Sequence, residues 1–166
     1  MESVNALNRS DVEATYKEKR DLSELDLSAL DLSGIKLLGL NAEAVDLSQT
    51  NLSQAVIAGA NLESANLSGS QLNEALIAGA NLEKADLSGA DLSGSRWLAV
   101  NVSDADFSGA KTTGAKASAV SWSSAKVAPE ELPESLVVIP PWLPALLLGF
   151  VAIIIFLLVK KRRPAE

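Results

Sequence analysis

The sequence contains no cysteine and no histidine. The first absence excludes disulfides, thiolate metal sites and thiol catalysis. The second removes the commonest general base and metal ligand at neutral pH. Aromatic residues make up 4% of the chain, too few to fill a conventional globular core. Bases are outnumbered, 14 against 21 acids, and the net charge of −7 argues against direct binding to nucleic acid phosphates. Residues 21–128 account for that charge, because the segments on either side each hold four acids and four bases. Serine and the carboxylates recur in phase with a short repeat. Glycine does so too, at its turns, so no nucleophile–base pair, carboxylate cleft or phosphate-cradling loop stands out. We therefore expect no catalytic, cofactor-binding or metal-binding residues and no enzymatic activity.

What is present is a five-residue repeat without a break in phase. It runs DLSEL DLSAL DLSGI from Asp21, then ANLES ANLSG, then ADLSG ADLSG. Its central residue is apolar at every fifth position from Leu22 to Phe107, and a fainter continuation passes through Thr112, Ala117 and Trp122. A period of five matches neither a helix nor a flat strand, so a repeat architecture has to explain it. Apolar residues two apart, such as Ala60 and Leu62, point the same way in extended backbone, and Gly or Asn then supplies a tight turn. Each unit is thus one short side and one corner. Residues 57–63 read IAGANLE, and residues 77–83 read the same. That spacing makes four units one coil, so residues 21–122 give about five coils, ~4.8 Å apart. Leu25, Leu30, Ile35, Leu40 and Val45 are large for the site two before the centre, with Ala42 partly offsetting Leu40. Thr112, Ala117 and Trp122 predict irregular coils at the far end. Ser10 with Glu13 reads as a capping box, predicting a helix from Asp11 to Lys19 that closes the N-terminal end.

The units follow A(D/N)LxG, and here the chain resembles the pentapeptide-repeat family over roughly two-thirds of its length. The resemblance implies an all-β solenoid, a right-handed quadrilateral β-helix with the central residues and those two before them inside.

Stacking at 20 residues sorts the outward positions into columns. One holds Lys36 and Leu38, Val56 and Ala58, Leu76 and Ala78, Arg96 and Leu98, where apolar residues replace the usual Asp/Asn and Ser. An apolar stripe of this kind marks a covered surface. The cover is either intramolecular, from the N-terminal helix or the segment after Ser124, or a partner protein. We take Leu38, Val56, Ala58, Leu76, Ala78, Arg96 and Leu98 as a candidate partner interface. The next column stacks Asn41, Asn61, Asn81 and Asn101, where amides can form a hydrogen-bonded ladder. Beside it run Glu43, Glu63 and Glu83, a solvated face or a seat for a basic partner.

Leu136 to Val159 carries no charge and is followed by Lys160, Lys161, Arg162 and Arg163. Counted from Pro141, the run spans ~28 Å as a helix, about the hydrocarbon thickness. This predicts a single transmembrane helix with Trp142 at one interface, the basic cluster at the other, and Ala145 and Gly149 as a small-residue pair for helix packing. The predicted organisation is a cap (1–20), the repeat (21–124), a linker (125–139), the membrane helix (140–160) and a basic tail (161–166). The positive-inside tendency places the tail in the cytoplasm, yet the N-terminus does not read as a signal peptide. A tail anchor leaving the repeat in the cytosol avoids that conflict, but moves four basic residues across. Leu132-Pro133-Glu134-Ser135 with the span and basic tail also resembles a cell-wall sorting signal, without its Thr-Gly. The functional expectation is a membrane-anchored scaffold or accessory subunit. It would dock through the apolar face on an integral-membrane complex or a second copy, with the lipid bilayer as its other partner. The alternative, implied by family resemblance, is an acidic DNA-mimicking rod that binds a type II topoisomerase such as gyrase.

Overall fold

In the computed structural model, which describes residues 7–135, the repeat winds into an all-β right-handed solenoid of about five turns, preceded by one short helix. The coil is 20 residues long on every side. Parallel bridges join Asp21 to Asn41, Asp26 to Asp46 and Asp31 to Asn51, and the fourth side pairs Lys36 with Val56. The predicted four-sided coil is therefore the observed one.

The repeat explains how each backbone N–H is satisfied, which a buried solenoid wall requires. In the unit around Leu62, Asn61 N donates to Leu40 O on the preceding coil at 2.8 Å. Leu62 N and Ser64 N donate to Asn81 O and Glu83 O on the following coil, at 2.7 and 2.8 Å. Ala65 N closes the corner on Leu62 O at 3.1 Å. The remaining donor, Glu63 N, turns to the Asn61 side chain, Oδ1 at 3.3 Å. An Asp or Asn before the centre is thus an internal acceptor that takes one N–H out of the ladder. Corner residues have positive φ, 62° at Gly59 and 59° at Lys84. Leu22, Leu27, Leu52, Ile57, Leu67 and Leu87 fill the interior at 2% exposure or less. Ile35, Leu40 and Val45 are also buried, so the first coils accommodate the larger residues that the repeat normally excludes.

On the apolar side no Asp or Asn competes, and the single bridges lengthen into strands. These are β1 (Lys36–Leu38), β2 (Val56–Ala58), β3 (Leu76–Ala78), β4 (Arg96–Leu98) and β5 (Lys116–Ser118). With β6 (Glu134–Ser135) they form one six-stranded parallel sheet in sequence order.

The helix α1 (Arg9–Lys19) begins earlier than predicted, and its cap is a different residue. Asn8 Oδ1 accepts from Ser10 N and Asp11 N at 2.8 and 3.3 Å, and Asp11 Oδ2 accepts from Asn8 N at 3.0 Å. Asn8 and Asp11 form the reciprocal box that Ser10 and Glu13 were expected to form. Glu13 instead pairs with Arg9 at 3.0 Å, one turn away. Val12 is buried against the first coil, and Leu7 and Tyr16 pack beside it. Tyr16 stands in for a missing coil below β1: its hydroxyl donates to Leu38 O at 3.0 Å and accepts from Leu38 N at 2.9 Å.

At the other end the coils stay regular longer than expected. Thr112 and Ala117 are buried, and Ala117 keeps register with Trp97. Trp122 leaves the phase in a 3₁₀ turn, Trp122–Ser124, and lies across the core end, 5.9 Å from Trp97 and 5.3 Å from Phe107 between ring centroids. Residues 125–135, expected to be linker, add a partial coil. Val127 pairs with Asp106, and Glu134 N donates to Ala115 O at 2.9 Å. The predicted membrane helix at 140–160, with Trp142 and Gly149, and the cluster Lys160, Lys161, Arg162 and Arg163 lie outside the described residues. Among the described residues no helix is long and apolar enough to cross a membrane.

Candidate protein-docking face

The sheet brings all seven predicted interface residues onto one side of the solenoid. In each strand the middle residue points inward and its neighbours outward, so Leu37, Ile57, Ile77, Trp97 and Ala117 are buried while the flanking pairs line the surface. One outward column reads Lys36, Val56, Leu76, Arg96, Lys116, and the other reads Leu38, Ala58, Ala78, Leu98, Ser118. Leu38, on the first strand, is 46% exposed, and Val56, Leu76 and Leu98 above it are partly exposed. Among the described residues, the intramolecular covers considered from the sequence reach the face at its rims. Helix α1 meets the face at Leu38, through Tyr16 and through Arg20 Nη1 at 3.4 Å from Leu38 O. Strand β6 meets it at Lys116 and Ala117. The rungs of Val56 and Leu76 receive hydrogen bonds from neither.

The other three sides are polar and self-contained. Asn101 Nδ2 donates to Asn81 Oδ1 at 2.8 Å, Asn81 to Asn61 at 3.2 Å, and Asn61 to Asn41 at 3.1 Å, the predicted amide ladder. Beside it Lys84 Nζ sits 3.1 Å from Glu83 and 3.3 Å from Glu63, relieving the repulsion of that column. These two carboxylates hold the Lys84 ammonium above its ordinary value, Glu83 first. An exposed pair of this kind adds little stability. Among the described residues no cluster of three Asp or Glu side chains is placed to hold a metal ion.

The same internal acceptors that shape the corners lower several carboxyl pKa values. Asp26 is held below the usual 3.8 by the Ser28 hydroxyl, 2.6 Å from Oδ1, and then by Ser28 N at 3.0 Å. Asp31 and Asp106 are lowered first by the backbone N–H of Ser33 and of Ser108. A folded-state pKa below the unfolded value means that the unfolded chain binds more protons at acid pH. The contribution is therefore complete above the ordinary value and is lost as pH falls through the lowered folded values. We expect the urea midpoint to fall below pH 3.8 and the triple replacement of Asp26, Asp31 and Asp106 by Asn to flatten that fall. Asn keeps the acceptor oxygen, as Asn66 does natively toward Ser68 N at 3.1 Å. An unchanged acid limb in the triple variant would refute this origin.

Residues 55–94 match the family described as pentapeptide repeats, in eight copies. No curated protein matches the chain. Among solved structures the chain is similar to HetL, a pentapeptide repeat protein involved in heterocyst differentiation regulation from the cyanobacterium Nostoc sp. strain PCC 7120. The identity is 28%, covering 69% of this chain and 51% of HetL, with a TM-score of 0.56. Rfr23 from the cyanobacterium Cyanothece 51142 is 34% identical over 61% of this chain and 63% of its own, with a TM-score of 0.44. QnrB1, a plasmid-mediated fluoroquinolone resistance protein, is 17% identical over 76% and 83% of the two chains, with a TM-score of 0.46. The chain thus spans about half the length of HetL and under two-thirds of Rfr23. Residues 55–94 are thus pentapeptide repeats, and the 20-residue coil they belong to is similar to that of HetL.

Proposed function

We propose that this protein is a non-enzymatic scaffold or accessory subunit that docks on an integral-membrane protein complex through the sheet face. The observation that carries the reading is the Val56 and Leu76 region of that face, apolar and reached by neither α1 nor β6 hydrogen bonds. Elsewhere on the solenoid the outward positions beside the centre are polar, mostly Asp, Asn and Ser, so the face is a local departure from the repeat. Contiguous apolar surface of this kind marks interaction sites. The charge-free run from Leu136 to Val159 and its basic flank support a membrane anchor at 140–160. In this proposal the anchor is inserted as a tail and the solenoid stands on the cytosolic side.

Co-purification in a mild detergent, comparing wild type with Leu76→Glu, tests the reading. We expect the wild type to hold a stoichiometric membrane complex and the variant to lose it, since a buried, unpaired carboxylate opposes docking. Leu76 points outward, so the variant's unfolding curve should match the wild type's. Equal capture by both proteins would move docking to the tail or the acidic sides. Capture by neither would remove the docking proposal and make the acidic rod, with gyrase as its target, the reading to pursue.

A further inference from the structure

Resting on that docking reading, we propose that the occupant of the sheet face is an amphipathic α-helix of another protein, lying along the solenoid axis, with an apolar row followed by carboxylates.

Shape is the first ground. The column Leu38, Ala58, Ala78, Leu98 is large at its ends and small in its middle, and Val56 and Leu76 form a ridge along one side. On the other side the corner is bare, with Gly59 and Gly79 beside the two alanines. The positive φ favours glycine there, but this fold also holds side chains at such corners. One side further on, Ser64 and Lys84 hold φ of 58° and 59° with side chains attached, against 62° at Gly59 and 58° at Gly79. A Cβ added at Gly59 would approach nothing nearer than 3.9 Å, and one at Gly79 nothing nearer than 4.0 Å. The missing side chains leave a shallow trough, and close approach of another backbone or side chain is what such bareness permits. The verbatim repeat IAGANLE builds both of its rungs.

Spacing is the second ground. Rungs rise by ~4.8 Å and an α-helix by ~5.4 Å per turn, so a helix along the axis presents about one turn to each rung. Two or three apolar turns match the trough.

Charge selects the partner. The five units of this side, 36–40, 56–60, 76–80, 96–100 and 116–120, contain no acid in a solenoid that is acidic overall, and the acid of this sheet is Glu134 of β6, beside Lys116. They hold Lys36, Arg96 and Lys116, all exposed. Among the described residues none of these three is in an ion pair; on the other sides Lys84 and Lys126 are, and Lys111 is not. A second copy face to face would set bases against bases. A helix with carboxylates in the turns beyond its apolar row satisfies Arg96 and Lys116 on their two adjacent rungs.

The test places the photo-crosslinker benzoylphenylalanine at Leu98 of the full-length chain, a large residue at the end of the column, irradiates intact cells of its own organism, and identifies the fused peptide by mass spectrometry. We expect a segment of another protein with apolar residues at i, i+3 or i+4, and i+7, and Asp or Glu in the next turns. The double charge reversal Arg96→Glu and Lys116→Glu should lower the yield about tenfold. A thermal melt by circular dichroism checks that the solenoid is intact. Fusion to a second copy, to residues 136–166 or to lipid overturns the proposal. Fusion to a partner segment without that pattern, at a yield the reversal leaves unchanged, overturns the helix while the docking reading stands. Absence of any cross-link overturns both.

Discussion

Replacing Trp97 by alanine is expected to destabilise the solenoid by about 3–5 kcal/mol, the range for removing a large buried aromatic. Trp97 is fully buried inside the sheet side, above Ile77. Its ring is 5.9 Å from Phe107 at 67° between planes, and 5.9 Å from Trp122. Its Nε1 donates to Ser95 Oγ at 2.8 Å, so truncation also strips a buried hydroxyl of one partner. The neighbouring walls are hydrogen-bonded coils and cannot close around the void without breaking the register. Urea unfolding of the full-length chain followed by far-UV circular dichroism measures the loss. Trp122, half-buried over the end of the core, provides the contrast, and its alanine variant should lose less. Equal losses at the two positions would show that the aromatic group is an end cap and not part of the core.

Enlarging Ala85 to leucine should cost about 1–3 kcal/mol, because added methylenes in a close-packed interior displace their neighbours. Ala85 is 1% exposed and follows the central Leu82. Two coils earlier the sizes are reversed: Leu40, Ala42 and Val45 occupy the positions held here by Ala80, Leu82 and Ala85. All six residues are buried, so Leu40 with Ala42 conserves the volume of Ala80 with Leu82, while Val45 is larger than Ala85. Ala80→Leu combined with Leu82→Ala, which restores the arrangement of Leu40 and Ala42, should therefore cost less than the sum of its single changes, and a double-mutant cycle reads that coupling directly. Strict additivity would mean that the two sites do not share space.

The coil was legible in the sequence because one requirement recurs at every unit: an inward residue, an internal acceptor and a turn. Its length could be read from a single duplicated stretch, 57–63 and 77–83, and the columns of the docking face followed from that length alone. The ends were less legible, because each depends on one arrangement that does not recur. Ser10 and Asn8 are both capping residue types, and the choice fell to Asn8 because its carbonyl reaches two N–H groups at once. Tyr16 looked like an ordinary helix residue. Its role lies in a hydroxyl set against Leu38, 22 residues away. Trp122 is in phase with the repeat, and periodicity assigned it to a further coil, but the stack on Trp97 and Phe107 draws it across the end instead. The return of residues 126–135 carried no repeat to announce it. Lys36, Arg96 and Lys116 were in the sequence, but the lack of acids around them became informative once the exposed state of all three was seen.

The coil-to-coil backbone hydrogen bonds of the regular turns join residues 19 or 21 apart. The separation is the same at the first turn as at the last. Loop closure thus presents one modest entropic barrier, met again at each turn and never enlarged by chain length. Folding becomes the repetition of a single local search, in which a finished coil offers its upper edge as the template for the next. A chain built this way has no need to wait for its C-terminal half. Its first coils, closed below by Tyr16, are able to wind while the rest is still being synthesised.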